Sequence, residues 1–137
     1  MGEVVEPSQE QADRNPAVLV VEDEVLLRST VADYLRDAGF TVVEAANAAE
    51  AMALIGSQIP VDIVFTDIQM GDGIDGLSLA DWITTHCAGL PVLLTSGTFV
   101  ARNTIERPFI SKPYIYSLLE RRLRELLAQK TANKAGT

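Results

Sequence analysis

The sequence predicts an α/β domain, a doubly wound parallel sheet with helices on both faces, on three observations. Apolar runs such as Ala17-Val18-Leu19-Val20-Val21 and Val61-Asp62-Ile63-Val64-Phe65-Thr66-Asp67 lack the strict alternation of a half-exposed strand, as expected of strands covered on both sides. These runs alternate along the chain with segments of helical periodicity, without an internal repeat or a low-complexity block, which implies parallel strands joined by helical crossovers. Finally, 137 residues of which 47% are apolar suffice for one domain burying roughly two-thirds of its unfolded surface, and leave no room for a second.

In chain order, residues 1–15 have little to bury and read as an N-terminal tail preceding a domain over 16–128. Strand one is Ala17 to Val21, ending in Glu22-Asp23-Glu24. Leu27, Val31, Tyr34, Leu35 and Ala38 recur at helical spacing, and Gly39 stops that helix. Strand two is Phe40 to Val43. Asn47 is the expected N-cap of a helix presenting Ala48, Met52 and Ile55 and closed by Gly56. Strand three is the run ending at Asp67. After a glycine-rich loop, Gly71 to Gly76, comes a helix with Leu77, Ala80, Ile83 and Cys87 inward. Strand four, Pro91 to Leu94, ends in Thr95-Ser96-Gly97. The mixed polarity of Thr98 to Arg107 allows only a turn or two, so a fourth helix should be shortened or irregular. Phe109-Ile110-Ser111 is a short fifth strand. Ile115, Leu118, Leu119, Leu123, Leu126 and Leu127 then mark a last helix, followed by a tail at 129–137.

The net charge of −8 argues against a partner that is a nucleic-acid backbone or an anionic membrane, since both are bound through lysine and arginine. One cysteine, Cys87, cannot form an internal disulfide, no apolar run approaches the roughly 18 residues of a membrane span, and no signal-peptide core is present. A cytoplasmic protein is expected.

In a parallel sheet the ligand site lies outside the carboxyl ends of the strands, which selects Glu22, Asp23, Asp67, Thr95, Ser96 and Lys112. With the flavodoxin-like strand order 2-1-3-4-5, strands one and three are neighbours and bring Glu22 and Asp23 to Asp67. Three carboxylates in one small space repel one another, and a hard cation such as Mg²⁺ relieves this. Lys112 offers a mobile charge for phosphate and Thr95 a hydroxyl. Together these residues describe a phosphoryl-transfer site with Asp67 as the nucleophile and an aspartyl phosphate as the product.

Val21-Glu22-Asp23, Asp67, Thr95 and Lys112-Pro113, in this order, resemble the receiver domain of two-component response regulators, over roughly residues 16 to 128. The resemblance implies that Asp67 is the phosphoacceptor, that Glu22, Asp23, Asp67 and the Gln69 backbone carbonyl hold Mg²⁺ (Glu22 through water), and that Thr95 is the switch hydroxyl. It implies further that Lys112 contacts the phosphoryl group, that the Lys112–Pro113 peptide is cis, and that Phe109 sits at the switch-aromatic position, although Phe109 reads equally well as core. The implied partner is a sensor histidine kinase or a histidine phosphotransfer protein. The chain would be no enzyme beyond catalysing its own phosphorylation and dephosphorylation, and a monomer or weak dimer. With about nine residues beyond the last helix, a stand-alone receiver is expected.

Three departures from the family pattern are legible. The acidic pair is Glu-Asp rather than Asp-Asp, the loop after Asp67 has one residue more and Gly71 in place of proline, and only 16 residues separate Thr95 from Lys112. The literal G-x-G-x-x-G at Gly71 to Gly76 is a poor dinucleotide site, because it follows strand three rather than strand one and Asp67, Asp72 and Asp75 would repel a pyrophosphate. Arg121, Arg122 and Arg124 read as the solvated face of the last helix, and Trp82 as helix-packing surface. Two alternatives stay open. A phosphohydrolase with an aspartyl-phosphate intermediate would commonly place an acid where Gln69 stands. A binding module that is never phosphorylated would not need this site set.

Overall fold

The structure, a computed structural model, describes residues 14–71, 73–98 and 106–135. The strands β1 (Ala17–Val21), β2 (Thr41–Ala45), β3 (Ile63–Asp67), β4 (Val92–Ser96) and β5 (Phe109–Ser111) form one sheet in the order β2-β1-β3-β4-β5, with every pair parallel. Among the described residues the helices are α1 (Val25–Asp37), α2 (Ala48–Gly56), α3 (Gly76–His86) and α4 (Tyr116–Ala135). The predicted fold class and strand order are therefore those observed. The shortened helix expected between β4 and β5 falls mainly on residues 99–105, outside the described residues.

The uninterrupted apolar strands β1, β3 and β4 are buried along their whole length because both faces are covered. On one face Val18, Val20, Ile63, Phe65, Leu93 and Ile110 pack against Val31, Ala32 and Leu35 of α1 and Leu119, Leu123 and Leu126 of α4. On the other, Leu19, Val21, Val64, Val92 and Leu94 pack against Ala48 and Ala51 of α2 and Leu79, Ala80 and Ile83 of α3. Successive strand residues thus feed opposite cores, the period-two geometry of a pleated strand.

Local signals set the helix ends. The Asn47 side chain accepts the Glu50 N–H at 2.8 Å, while the Glu50 carboxylate reaches back to the Ala46 N–H at 3.1 Å, a reciprocal cap. Gly39 takes φ of +102°, which favours glycine, where the chain leaves α1. Some expected boundaries shift. β2 begins at Thr41 and ends at Ala45, and β3 begins at Ile63; the preceding Asp62 carboxylate accepts from Arg14 (2.9 Å) and from the Ala17 N–H (2.7 Å). The last helix continues to Ala135, so the segment 129–135, expected as tail, is helical. Of the N-terminal segment, residues 1–13 lie outside the described part. Arg124 is more than solvated surface: its guanidinium donates to the Ala38 carbonyl at the end of α1 (2.6 Å) and lies 4.5 Å from the centre of the Phe40 ring.

Candidate functional site

Parallel register carries the selected residues to one edge of the sheet. Val21 pairs with Thr66, Asp67 with Thr95, and Ser96 with Ser111, so Glu22 follows one strand tip, Asp67 and Thr95 lie level on adjacent strands, and Lys112 follows the last. The Lys112–Pro113 peptide is cis, as expected. The Lys112 ammonium sits between two carboxylates, donating to Asp67 Oδ2 at 2.6 Å and to Glu22 Oε1 at 2.9 Å. Asp67 Oδ1 accepts the Gln69 N–H at 3.2 Å. Thr95, 2% exposed, has a buried hydroxyl with no hydrogen-bond partner among the described residues.

The electrostatics follow from this geometry. Burial pushes the Glu22 carboxyl above the usual glutamate range, against the opposing pull of its hydrogen bond from Lys112. Burial alone would lower Lys112, but its hydrogen bonds to Asp67 and Glu22 outweigh that and hold it above the usual lysine range. Tyr114, two residues past Lys112, has its phenol driven far up by burial, with the charges of Glu22, Tyr116 and Asp67 adding to the effect.

Glu22, Asp23 and Asp67 each offer a carboxylate oxygen, all within 4.8 Å of one another. Hard oxygen donors alone, with Asp23 exposed so that water can complete the coordination, suit a hard divalent cation such as Mg²⁺. The residues present fit the metal.

Two loops complete the site. The Gly76 N–H donates to the Ile68 carbonyl at 2.8 Å, and a Cβ on Gly76 would collide with the Asp67 carbonyl. The N-terminus of α3 is therefore seated directly on the backbone of β3's last residue, with Asp75 as its N-cap accepting the Ser78 N–H at 2.8 Å. The second loop joins through Ser96. Its hydroxyl donates to Gln69 Oε1 at 3.3 Å and accepts the Thr98 N–H at 3.2 Å, tying the ends of β3 and β4 together. Gly71 adopts φ of +47°, and a Cβ there would lie 3.5 Å from Asp23 Oδ2; proline's fixed negative φ could not follow this path, which accounts for the glycine.

The structure brings Glu22, Asp23, Asp67 and Lys112 together, and sets Thr95 level with Asp67. Phe109, half-buried and level with Leu94, packs against the core shared with α2 and α3. The His86 ring stacks on Trp82, with ring centres 4.7 Å apart. Sequence reasoning grouped Gly76 with a flexible loop and missed its role. The signal was a glycine directly after the capping Asp75, where a glycine at the first helical position gains nothing for the helix itself. Tyr114 was also passed over, since its proximity depends on how Lys112 and Pro113 turn the chain.

Comparison with known proteins bears on the same residues. Residues 18–123 match the family model of the response regulator receiver domain. The chain is 38% identical over 81 residues, 58% of its length, to an NtrX-like response regulator of Rickettsia felis, of which this covers 17%. It is 30% identical over 120 residues, 83% of its length, to the transcriptional regulatory protein PhoP of Escherichia coli K12, covering 53% of that protein. The chain thus spans about half or less of the length of these relatives. Among solved structures, a response regulator receiver protein from Sinorhizobium medicae superposes with a TM-score of 0.77 at 26% identity, over 85% of this chain and 97% of that one.

Proposed function

Because this chain belongs to the response regulator receiver domain family, we propose that Asp67 is its phosphoacceptor, taking a phosphoryl group from a phosphohistidine on a histidine kinase or phosphotransfer protein. The observation that carries this reading is the Lys112 ammonium shared between Asp67 and Glu22 at the level of Thr95, whose buried hydroxyl has no partner among the described residues. A carboxylate oxygen of Asp67 forms the new bond to phosphorus as the phosphorus–nitrogen bond to the imidazole breaks, and the imidazole leaves with the electron pair of that bond. Lys112 gives up its hydrogen bond to Asp67 for one to a phosphoryl oxygen, and Thr95 donates its hydroxyl proton to another. Asp23, Asp67, the Gln69 carbonyl and, through water, Glu22 would hold Mg²⁺, which supplies charge neutralisation for the phosphoryl oxygens.

One phosphoryl group per chain is the product, so the protein is the substrate of its own modification rather than a turnover enzyme. A protein donor suits the rim of the site. Val25 (64% exposed) and Leu26 (78%) begin α1 just beyond Asp23, Ile115 (71%) follows Lys112, and Ile74 (44%) lies in the loop after β3. Such apolar side chains at the mouth favour a protein surface over a small anion. Phosphorylation then biases the loop after β4 through Thr95, and the readout is a change in protein contacts.

The test is incubation with a phosphodonor and Mg²⁺ followed by a phosphate-affinity gel. The wild type should shift by one phosphoryl group and Asp67→Asn should not. Equal modification of both proteins overturns the assignment.

A further inference from the structure

The end of the sheet opposite Asp67, where the strands begin, carries an open groove of about 770 Å³ that phosphoryl transfer does not use. Ile55 near the end of α2, Ile59 and Val61 ahead of β3, Leu90 and Pro91 ahead of β4, and Leu126 of α4 form its apolar lining. Ile59 is 39% exposed there. Apolar side chains gathered in one concave patch mark a contact site and leave open what fills it.

Three observations select the occupant. The first is where the N-terminal segment joins the domain. The Arg14 guanidinium donates to both carboxylate oxygens of Asp62 at 2.9 Å, the same carboxylate accepts the Ala17 N–H at 2.7 Å, and the Asp62 N–H donates to the Ala17 carbonyl at 2.8 Å. Asp62 follows Val61, and its carbonyl accepts from the Lys130 ammonium, so Arg14 is held beside two residues of the groove wall. The second is reach. Val5 is nine peptide steps from Arg14, up to about 30 Å of extended chain, roughly three times the width of a compact cavity of that volume. The third is chemistry. Within residues 1–13 the only branched aliphatic side chains are Val4 and Val5, and the only charged ones are Glu3, Glu6, Glu10 and Asp13. The groove is apolar, and its wall carries Lys130 and no acid. In a chain of net charge −8 an acidic segment meets attraction there rather than repulsion.

We propose that this groove is the docking site of the chain's own N-terminal segment, with Val4 and Val5 seated on the apolar lining and Glu3 or Glu6 paired with Lys130. A tether of this length presents the segment at about millimolar effective concentration, so a contact too weak to hold a free peptide suffices within one chain. Once seated, the segment ties the connections ahead of β3 and β4 to the far end of α4 and withholds the groove from other proteins. None of this depends on the role of Asp67.

Cys87, the only cysteine in the chain, lines the groove and is half-buried, so its thiol reports whether the groove is covered. With N-ethylmaleimide, a neutral reagent, the full chain should react about fivefold or more slowly than a chain lacking residues 1–13 or one carrying Val4→Asp with Val5→Asp, as expected when a local cover is lost. Lys130→Glu should raise the rate in the same direction. In NMR spectra of the methyl-labelled full chain, nuclear Overhauser contacts should join Val4 or Val5 to Leu90 and Leu126. Rates equal within about twofold among these chains mean that the groove stands open, and they overturn the proposal. Absence of the methyl contacts overturns it as well, since the rate differences then have another source. Protection of Cys87 that grows with protein concentration assigns the groove to a second copy of the chain and likewise overturns it, because docking within one chain is independent of concentration.

Discussion

Thr95 carries a buried hydroxyl with no hydrogen-bond partner among the described residues. A buried unsatisfied polar group costs about 1–3 kcal/mol, so Thr95→Val, which keeps the side-chain shape, should stabilise the resting protein by about 1 kcal/mol in urea unfolding. The same variant should weaken beryllofluoride binding, because the hydroxyl's partner arrives with the phosphoryl-like group; a destabilised variant that binds beryllofluoride normally would contradict this. Glu22 gives a pH signature. Its folded-state pKa lies above its unfolded value, so the folded protein holds the proton more tightly between the two. In Mg²⁺-free buffer the contribution of Glu22 to stability should be fully present below the unfolded value and be lost as pH rises through the folded one. Glu22→Gln should remove that slope, as read from urea midpoints between about pH 4 and pH 7.

At the scale of elements, α3 depends on a missing atom. Replacing glycine by alanine inside a helix ordinarily gains about 1 kcal/mol. At Gly76 the added Cβ would meet the Asp67 carbonyl, so Gly76→Ala should instead cost about 1–3 kcal/mol, the range of overpacked sites. It should also slow phosphorylation, since the helix can retreat only by moving the backbone of the phosphoacceptor's strand. The neighbouring Asp75→Ala removes an N-cap and should cost about 1 kcal/mol with a smaller effect on the rate. Comparing the two variants by denaturation and by phosphorylation rate separates helix stability from helix placement.

For the whole molecule, the acidic cluster ties stability to the metal. Folding gathers Glu22, Asp23 and Asp67 within 4.8 Å, so Mg²⁺ should bind the folded state preferentially. At free Mg²⁺ about a hundredfold above its dissociation constant the folded state gains about 2.7 kcal/mol, and Asp23→Asn should lose most of that gain in paired urea titrations with and without Mg²⁺. The two cores respond as one unit through the strands they share. Leu119→Ala, on the α4 side, should cost about 2–5 kcal/mol without altering the geometry at Asp67 directly.

The amino-acid sequence by itself determined the fold class and the identity of Glu22, Asp23, Asp67, Thr95 and Lys112 as candidates. Those features rest on local periodicity and on the rule that parallel strands gather their carboxyl ends, both of which act over short stretches of chain. Contacts between residues distant in sequence were decided by the tertiary structure. Glu22 meets Lys112 across two intervening strands, Gly76 lies against the Asp67 carbonyl, and Arg124 closes the end of α1 at Ala38. None of these has a periodic signal, because each depends on how far a side chain reaches, or how closely two backbones approach, once the sheet has assembled.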